Sequence, residues 1–251
     1  MSDVRSEVFA SFDGTQLAVH RAGSGRPVVL LHGLFSSARM NWMRFGHAQA
    51  LADAGFEAIM PDLRAHAESA APHAIEAYPP DVLVRDVGAL IAHLALSEYD
   101  LVGFSLGART AARAVIGGLT PRRLVLAGMG IEGLSNWRRR SAVFLDAVER
   151  FDEVKRGEDA YFAVQFMKTM KIDRTAAHLL LESVQDIQPS DLARIAMPTL
   201  VLVGEEDRDN GSPDDLAQAL PEGRLAQVPG NHMGSVTKPD LGRSIVSFLS
   251  A

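Results

Sequence analysis

Six times along this chain a short, largely apolar run without alternation stops at glycine, proline or histidine. Val28 to Leu31 ends at His32-Gly33, Phe56 to Met60 at Pro61-Asp62, and Tyr99 to Val102 at Gly103. Arg123 to Ala127 ends at Gly128, Pro198 to Val203 at Gly204, and Leu225 to Val228 at Pro229-Gly230. A strand with one face in water alternates; a run that does not is buried on both faces, as in a parallel sheet covered by helices. Between the runs lie the helix-length stretches Trp42 to Ala54, Val82 to Leu96 and Leu106 to Ile116, with apolar residues three and four apart. Strand and helix in alternation imply right-handed βαβ crossovers. Val8 to Ala10 and Thr15 to His20, separated by Phe12-Asp13-Gly14, predict a hairpin adding antiparallel strands at one edge. The expected fold is α/β, a mostly parallel sheet of about eight strands with helices on both faces.

One interval breaks the alternation. From 130 to 196 the pattern is helical, with Phe144, Val148 and Phe151 on one face, Phe162, Phe166 and Met170 on another, and Leu179 to Val184 as a third segment. This predicts a helical lid inserted at 130–196 between core segments 1–129 and 197–251. An ordinary run of surface helices is the alternative.

Composition closes several routes. With no cysteine among 251 residues, a disulfide scaffold, a thiolate zinc site and a cysteine nucleophile are excluded. Size scaling gives a folded chain of 27.1 kDa roughly 10,900 Å² of exposed surface, enough burial for a core without staples. A formal charge of −6 argues against a protein that tracks a nucleic-acid backbone. The polar start Met1-Ser2-Asp3-Val4-Arg5-Ser6-Glu7 lacks the apolar core of a signal peptide, and no stretch approaches the ~20 apolar residues of a membrane span. The expectation is a cytoplasmic protein with a small-molecule substrate and neither nucleic-acid nor membrane partner; no sequence feature bears on oligomeric state.

The chemistry concentrates at Gly103-Phe104-Ser105-Leu106-Gly107, a Gly-x-Ser-x-Gly pentapeptide between the run ending at Val102 and the small-residue helix start from Ala108. A strand turning sharply into a helix exposes the residue at the turn, and the flanking glycines avoid Cβ clashes. Ser105 would stand clear of the sheet, with the Leu106 N–H at the positive end of the helix. A serine hydroxyl needs an oriented base, and histidine titrates nearest the working pH. His232, in Pro229-Gly230-Asn231-His232-Met233, follows the last strand-like run. Asp207 lies just past the run ending at Val203 and is the candidate acid, with Asp209 as its substitute.

The order Ser105, Asp207, His232 resembles the α/β-hydrolase fold family, in which nucleophile, acid and histidine follow in that sequence. His32-Gly33-Leu34-Phe35 resembles the family's oxyanion loop, and Pro61 to Ser69 its Asp-x-Arg-Gly-x-Gly-x-Ser stretch. The segments Met197 to Asp207 and Gly230-Asn231-His232 resemble its acid-bearing strand end and histidine loop. The ordered matches run from about residue 8 to about 248. Two departures stand out: Ala65 and Ala67 replace family glycines, which predicts a different backbone path or strained φ angles, and the nucleophile is Ser where relatives that open epoxides or displace halide carry Asp.

The resemblance implies a serine hydrolase of a small, mostly apolar ester, lactone or thioester. His232 would act as base, Asp207 as its orienting acid, and the Leu34 and Leu106 N–H groups would form the oxyanion hole. His32 is expected to support that loop by hydrogen bonding. No cofactor or metal is called for, and His66 and Glu68, with His73, are read as an exposed loop. Phe35, Phe104, Met129 and Trp137 are the candidate pocket residues. Phe144, Tyr161, Phe162 and Phe166 could join them but are read mainly as lid core. Arg138-Arg139-Arg140 is read as a solvated helix start, with carboxylate binding as the lesser alternative. Competing functions are carbon–carbon bond hydrolysis of a dienoic ketone, acyl transfer or perhydrolysis, and a non-catalytic small-ligand receptor.

Overall fold

In a computed structural model of the chain, residues 4–251 are described. The first three residues of the polar N-terminal segment read above lie outside them. The chain opens with β1 (Arg5–Ala10), β2 (Gln16–Gly23) and β3 (Arg26–Leu31), then a π-helical turn at Arg39–Met43. There follow α1 (His47–Asp53), β4 (Phe56–Pro61), α2 (Val82–His93), β5 (Asp100–Phe104), α3 (Leu106–Ile116) and β6 (Leu124–Ala127). Four helices come next: α4 (Ile131–Ser135), α5 (Trp137–Glu149), α6 (Tyr161–Met170) and α7 (Arg174–Ser183). The chain closes with β7 (Thr199–Gly204), α8 (Pro213–Ala219), β8 (Gly223–Val228), α9 (His232–Val236) and α10 (Pro239–Ser250).

Among the described residues the strands form one eight-stranded sheet in the order β1-β2-β4-β3-β5-β6-β7-β8. The hairpin β1–β2 and the β2–β4 pair are antiparallel; every pairing from β4 through β3 to β8 is parallel. The runs lack alternation because both faces are covered, except at the edge strand β8, where only Val228 is buried. Val29, Leu31, Leu101, Leu124, Leu126, Val201 and Val203 pack with α2, α3 and α8 on one face. Val28, Leu30, Val102, Val125, Leu200 and Leu202 pack on the other with Trp42, Leu51 of α1 and Leu241, Ile245 and Leu249 of α10. The exposed surface of 10880 Å² agrees with the size expectation. No helix among the described residues is long and apolar enough to cross a membrane.

Two expectations are corrected here. The stretch Trp42 to Ala54 is not one helix: Gly46, at φ 82°, takes a left-handed conformation and separates the π-helical turn from α1. On α6 the buried face is Val164 and Met167, while Phe162 is 81% exposed and belongs to no core. Between β6 and β7 the described elements are all helical. Leu134, Trp137, Val148, Val164, Met167, Leu180 and Leu181 join the same apolar cluster as α2 and α3.

Arg109 of α3 fastens these helices to the core. Its Nη1 donates to the Gly133 and Leu134 carbonyls at 2.7 and 2.6 Å, and its Nη2 to Gln185 O at 2.5 Å and Asp186 Oδ1 at 3.1 Å. One buried guanidinium therefore holds both ends of the segment.

Candidate active site

The parallel order reverses at β3, which is flanked by β4 and β5, and at such a switch point the loops leaving the strand ends open a crevice. Ser105 stands there, between β5 and α3, at φ 53° and ψ −114°, a conformation that costs a non-glycine residue about 1–3 kcal/mol. Its neighbours enforce it. The Ser105 N–H donates to Ala127 O at 2.8 Å, and Ser105 O accepts the Arg109 N–H at 3.0 Å, starting the helix. A Cβ on Gly103 would meet the Gly107 carbonyl, and one on Gly107 the Leu31 carbonyl, so strand and helix approach too closely for a side chain. Gly107→Ala is therefore expected to destabilise the protein by about 3 kcal/mol, lowering Tm by roughly 6–12 °C. Gly88→Ala in α2, where a new Cβ meets nothing within 4 Å, is expected to raise stability by up to about 1 kcal/mol. Thermal unfolding of the two variants checks the pair; equal shifts would show that the close approach is not tight.

The loops after β7 and β8 are stitched together by Glu205 N–H to Val228 O and Glu206 N–H to Gly230 O, at 2.9 and 3.1 Å. That brings Asp207 to His232. His232 Nδ1 lies 2.8 Å from Asp207 Oδ2 and its Nε2 lies 3.1 Å from Ser105 Oγ. With a carboxylate on Nδ1, that nitrogen carries the proton and Nε2 is left to accept from the serine. Asp209 does not take this place: it is exposed, and its backbone N–H donates to Asp207 Oδ1 at 3.0 Å. Burial pushes the Asp207 carboxyl up, but the His232 hydrogen bond and charge, the Asp209 N–H and the field of Arg140 outweigh it and hold it below the usual carboxylate range.

The loop after β3 is held from three sides. Gly33 N–H donates to Asn41 Oδ1 at 3.1 Å, Phe35 N–H to His66 Nε2 at 2.9 Å, and Ala38 N–H to Asp62 Oδ1 at 2.8 Å. Both neighbours of Leu34 thus have their N–H groups committed to side chains, while Leu34 itself lines the space beside Ser105 and Leu106. His32 Nε2 accepts the Leu63 N–H at 2.9 Å, and its Nδ1 lies 2.8 Å from Gly33 O. Burial lowers the pKa of His32, and at His66 burial, with a second imidazole close by, lowers it to about 3. Both imidazoles are neutral struts.

This corrects one expectation: His66 lies buried under the loop after β3, not on an exposed loop. His73 is exposed, and reaches Asp173 at the start of α7, 2.9 Å away. Ala65 and Ala67 keep left-handed angles, φ 65° and 47°, without glycine. Arg64, paired with Asp13 and Asp86 at 2.7 Å each, and Ser69, donating to Asp62 O at 2.5 Å, pin the loop around them.

A small cavity of about 10 Å³ adjoins the serine, walled by Leu34, Leu106, Arg109, Met129, Gly133, Trp137, Arg140, Phe144 and Asn210. It shares Gly133, Arg140, Phe144 and Asn210 with an outer cleft of about 420 Å³. Of the four candidate pocket residues, Met129 and Trp137 line the cavity. Phe104 does not: side chains alternate along β5, so it falls on the opposite sheet face, where its ring lies 5.0 Å from that of His232 and backs the imidazole. Phe35 stands behind the wall, edge-on to Phe144 at 6.0 Å.

The sequence reading missed Arg109, Gly133 and Asn210 and set Arg140 in solvent. Asn210 lies three residues past Asp207, and proximity to the acid was the available signal. Helix α5 places Arg140 one turn from Trp137, so a pocket assignment for the tryptophan carries the arginine with it. One donor atom each from Asp207, Asp209 and His232 falls within 4.8 Å of the others, the one metal-spaced set among the described residues. It consists of the Asp207–His232 pair with one exposed carboxylate added.

A family model described as the alpha/beta hydrolase fold matches residues 26–148. An epoxide hydrolase of Caballeronia sordidicola is 32% identical over 154 residues, 61% of this chain and 44% of that protein, so the match spans less than half of the relative. The AB hydrolase superfamily protein YisY of Bacillus subtilis is 28% identical over 230 residues, 82% of this chain and 83% of its own. Among solved structures, an esterase (EaEST) from Exiguobacterium antarcticum superposes with a TM-score of 0.76 at 20% identity, covering 97% of this chain and 99% of its own. The eight-stranded sheet with its antiparallel edge, the serine elbow and these matches have one common reading: the chain has the α/β-hydrolase fold.

Proposed function

We propose that the protein is a serine hydrolase that cleaves a small, mostly apolar ester, lactone or thioester through an acyl-enzyme on Ser105. The observation that carries this is the 3.1 Å approach of His232 Nε2 to Ser105 Oγ, with Asp207 2.8 Å behind the ring. Ser105 Oγ attacks the carbonyl carbon while its proton passes to His232 Nε2. Asp207 stabilises the imidazolium, and the Leu34 and Leu106 N–H groups stabilise the oxyanion, each worth about 10²–10³ in turnover. Collapse expels the alcohol, which takes the proton from His232. Water then attacks the acyl-enzyme, giving its proton to His232, and release of the acid returns that proton to Ser105.

Relatives named epoxide hydrolases do not redirect this reading, because the nucleophile decides the second half-reaction. A serine that opened an epoxide would be left in an ether, which water does not cleave under these conditions. A serine that attacks a carbonyl is left in an ester, which water does.

A fluorophosphonate is expected to label Ser105, located by peptide mass spectrometry, and a panel of acyl esters and lactones to show a burst of released alcohol. Faster turnover of a dienoic ketone than of any ester would transfer the assignment to carbon–carbon bond hydrolysis. Absence of labelling in folded protein would leave a receptor as the reading.

A further inference from the structure

The charged residues lining the cavity beside Ser105 are Arg109 and Arg140, with no carboxylate among its walls. The other polar side chains there are already committed. Trp137 Nε1 donates to Leu181 O at 3.1 Å and Asn210 Nδ2 to Gly128 O at 2.7 Å. Arg109 shares its charge with Asp186, yet its buried Nε has no partner.

Arg140 differs from every structural arginine in the core. Arg64 and Arg109 each hold a carboxylate, whereas Arg140 donates from Nη1 to a neutral acceptor, the Asp209 carbonyl. Its guanidinium also lies over the Phe144 ring, 5.8 Å from the centroid. Asp207 and Asp209 act on it through their fields, but neither carboxylate reaches ion-pair distance among the described residues. A half-buried cation without an anion has lost part of its hydration for little return. That cost is recovered when an anion arrives.

Position tells which anion. Arg140 and Phe144 belong to both the small cavity and the outer cleft, so they stand between the space beside the nucleophile and that cleft. Glu132 and Asp209 oppose Arg139 and Arg140 in the cleft, whereas the inner space carries positive charge alone. The alcohol of a cleaved ester must leave towards the cleft; the acyl part stays on Ser105, within reach of the positive walls.

Resting on the hydrolase reading above, we propose that the natural substrate carries a carboxylate on its acyl side and that Arg140 binds it, exchanging the Asp209 carbonyl for the substrate anion. Arg140 is then the specificity-determining residue of the site. The space beside Ser105 holds about one water as it stands, so the acyl chain enters as Arg140 and Phe144, which also line the outer cleft, move aside, and its body then lies against Leu34, Met129, Trp137 and Phe144.

The test compares the monoaryl ester of adipic acid with the neutral aryl hexanoate of similar length. The wild-type protein is expected to favour the hemi-ester in kcat/KM by about 10- to 100-fold, the worth of one charge-assisted hydrogen-bond pair. In Arg140→Met that ratio is expected to fall to about one, and in Arg140→Lys to recover in part. A wild-type ratio near one, or a ratio that survives Arg140→Met, overturns the proposal.

Binding separates the two readings. Calorimetry on Ser105→Ala protein is expected to show tighter binding of the hemi-ester than of the neutral ester, with the difference lost in Ser105→Ala/Arg140→Met. That result without fluorophosphonate labelling of wild-type protein keeps the anion site and removes the hydrolase. Labelling without any preference for the hemi-ester does the reverse.

Discussion

Ser105→Ala is expected to reduce ester turnover by about 10⁶-fold and to abolish fluorophosphonate labelling, with the fold unchanged. Removing Oγ removes the atom that becomes acylated, and no neighbouring hydroxyl can replace it: the cavity walls contribute no other serine, threonine or tyrosine. What remains is the residual catalysis of an oxyanion site acting on bound water, about 10³–10⁴ over solution. Stability supplies an independent readout. Ser105 holds φ 53° and ψ −114°, where glycine is at ease and other residues are strained. Ser105→Gly is therefore expected to lose activity as completely as the alanine variant while gaining about 1 kcal/mol, after the higher entropy of the unfolded glycine chain is discounted. At this chain length the gain appears as a rise in Tm of roughly 2–4 °C. Opposite movement of activity and stability is the signature of strain held for function. Alanine protein retaining more than about one per cent of wild-type turnover would require another nucleophile.

The contrast between legible and illegible residues follows how local each determinant is. Each run became a strand of the sheet; in all but the edge run Leu225 to Val228, which is half-exposed, burial on both faces is written in consecutive residues. Ser105 was legible because Gly103 and Gly107 mark a close approach that only glycine permits. His232 and Asp207 were found by their place after strand ends, which is also local. The cavity wall was not legible in this way. Arg140 becomes a wall residue only because α5 is docked over the strand ends, and that docking depends on Arg109 holding Gly133 and Gln185, 24 and 76 positions away. His66 looked like part of a polar loop because its partner, the Phe35 N–H, is 31 residues distant. Phe104 was misassigned for a different reason. Alternation within β5 puts it on the face opposite Gly103, and adjacency to Ser105 in sequence concealed this.

Asp207→Asn is expected to lower kcat by about 10⁴-fold, and Asp209→Asn by less than about threefold. Asp207 Oδ2 receives the His232 Nδ1 proton, which fixes the tautomer that leaves Nε2 free to accept from Ser105. An asparagine there keeps the size of the side chain but loses the charge that stabilises the imidazolium, and its amide can offer a donor to Nδ1. The imidazole then carries its proton on Nε2, facing the serine, and cannot act as base. Asp209 contributes to this arrangement through its backbone N–H, which Asp209→Asn retains, and its carboxylate is exposed. The opposite ranking, with Asp209→Asn the more damaging, would mean that the loop after β7 rearranges on substrate binding and presents the second carboxylate to His232. Phosphonate labelling rates distinguish a lost base from a lost substrate contact. They are expected to drop with turnover in Asp207→Asn because the probe reacts with the same activated Oγ, whereas loss of a substrate contact alone lowers ester turnover and leaves labelling in place.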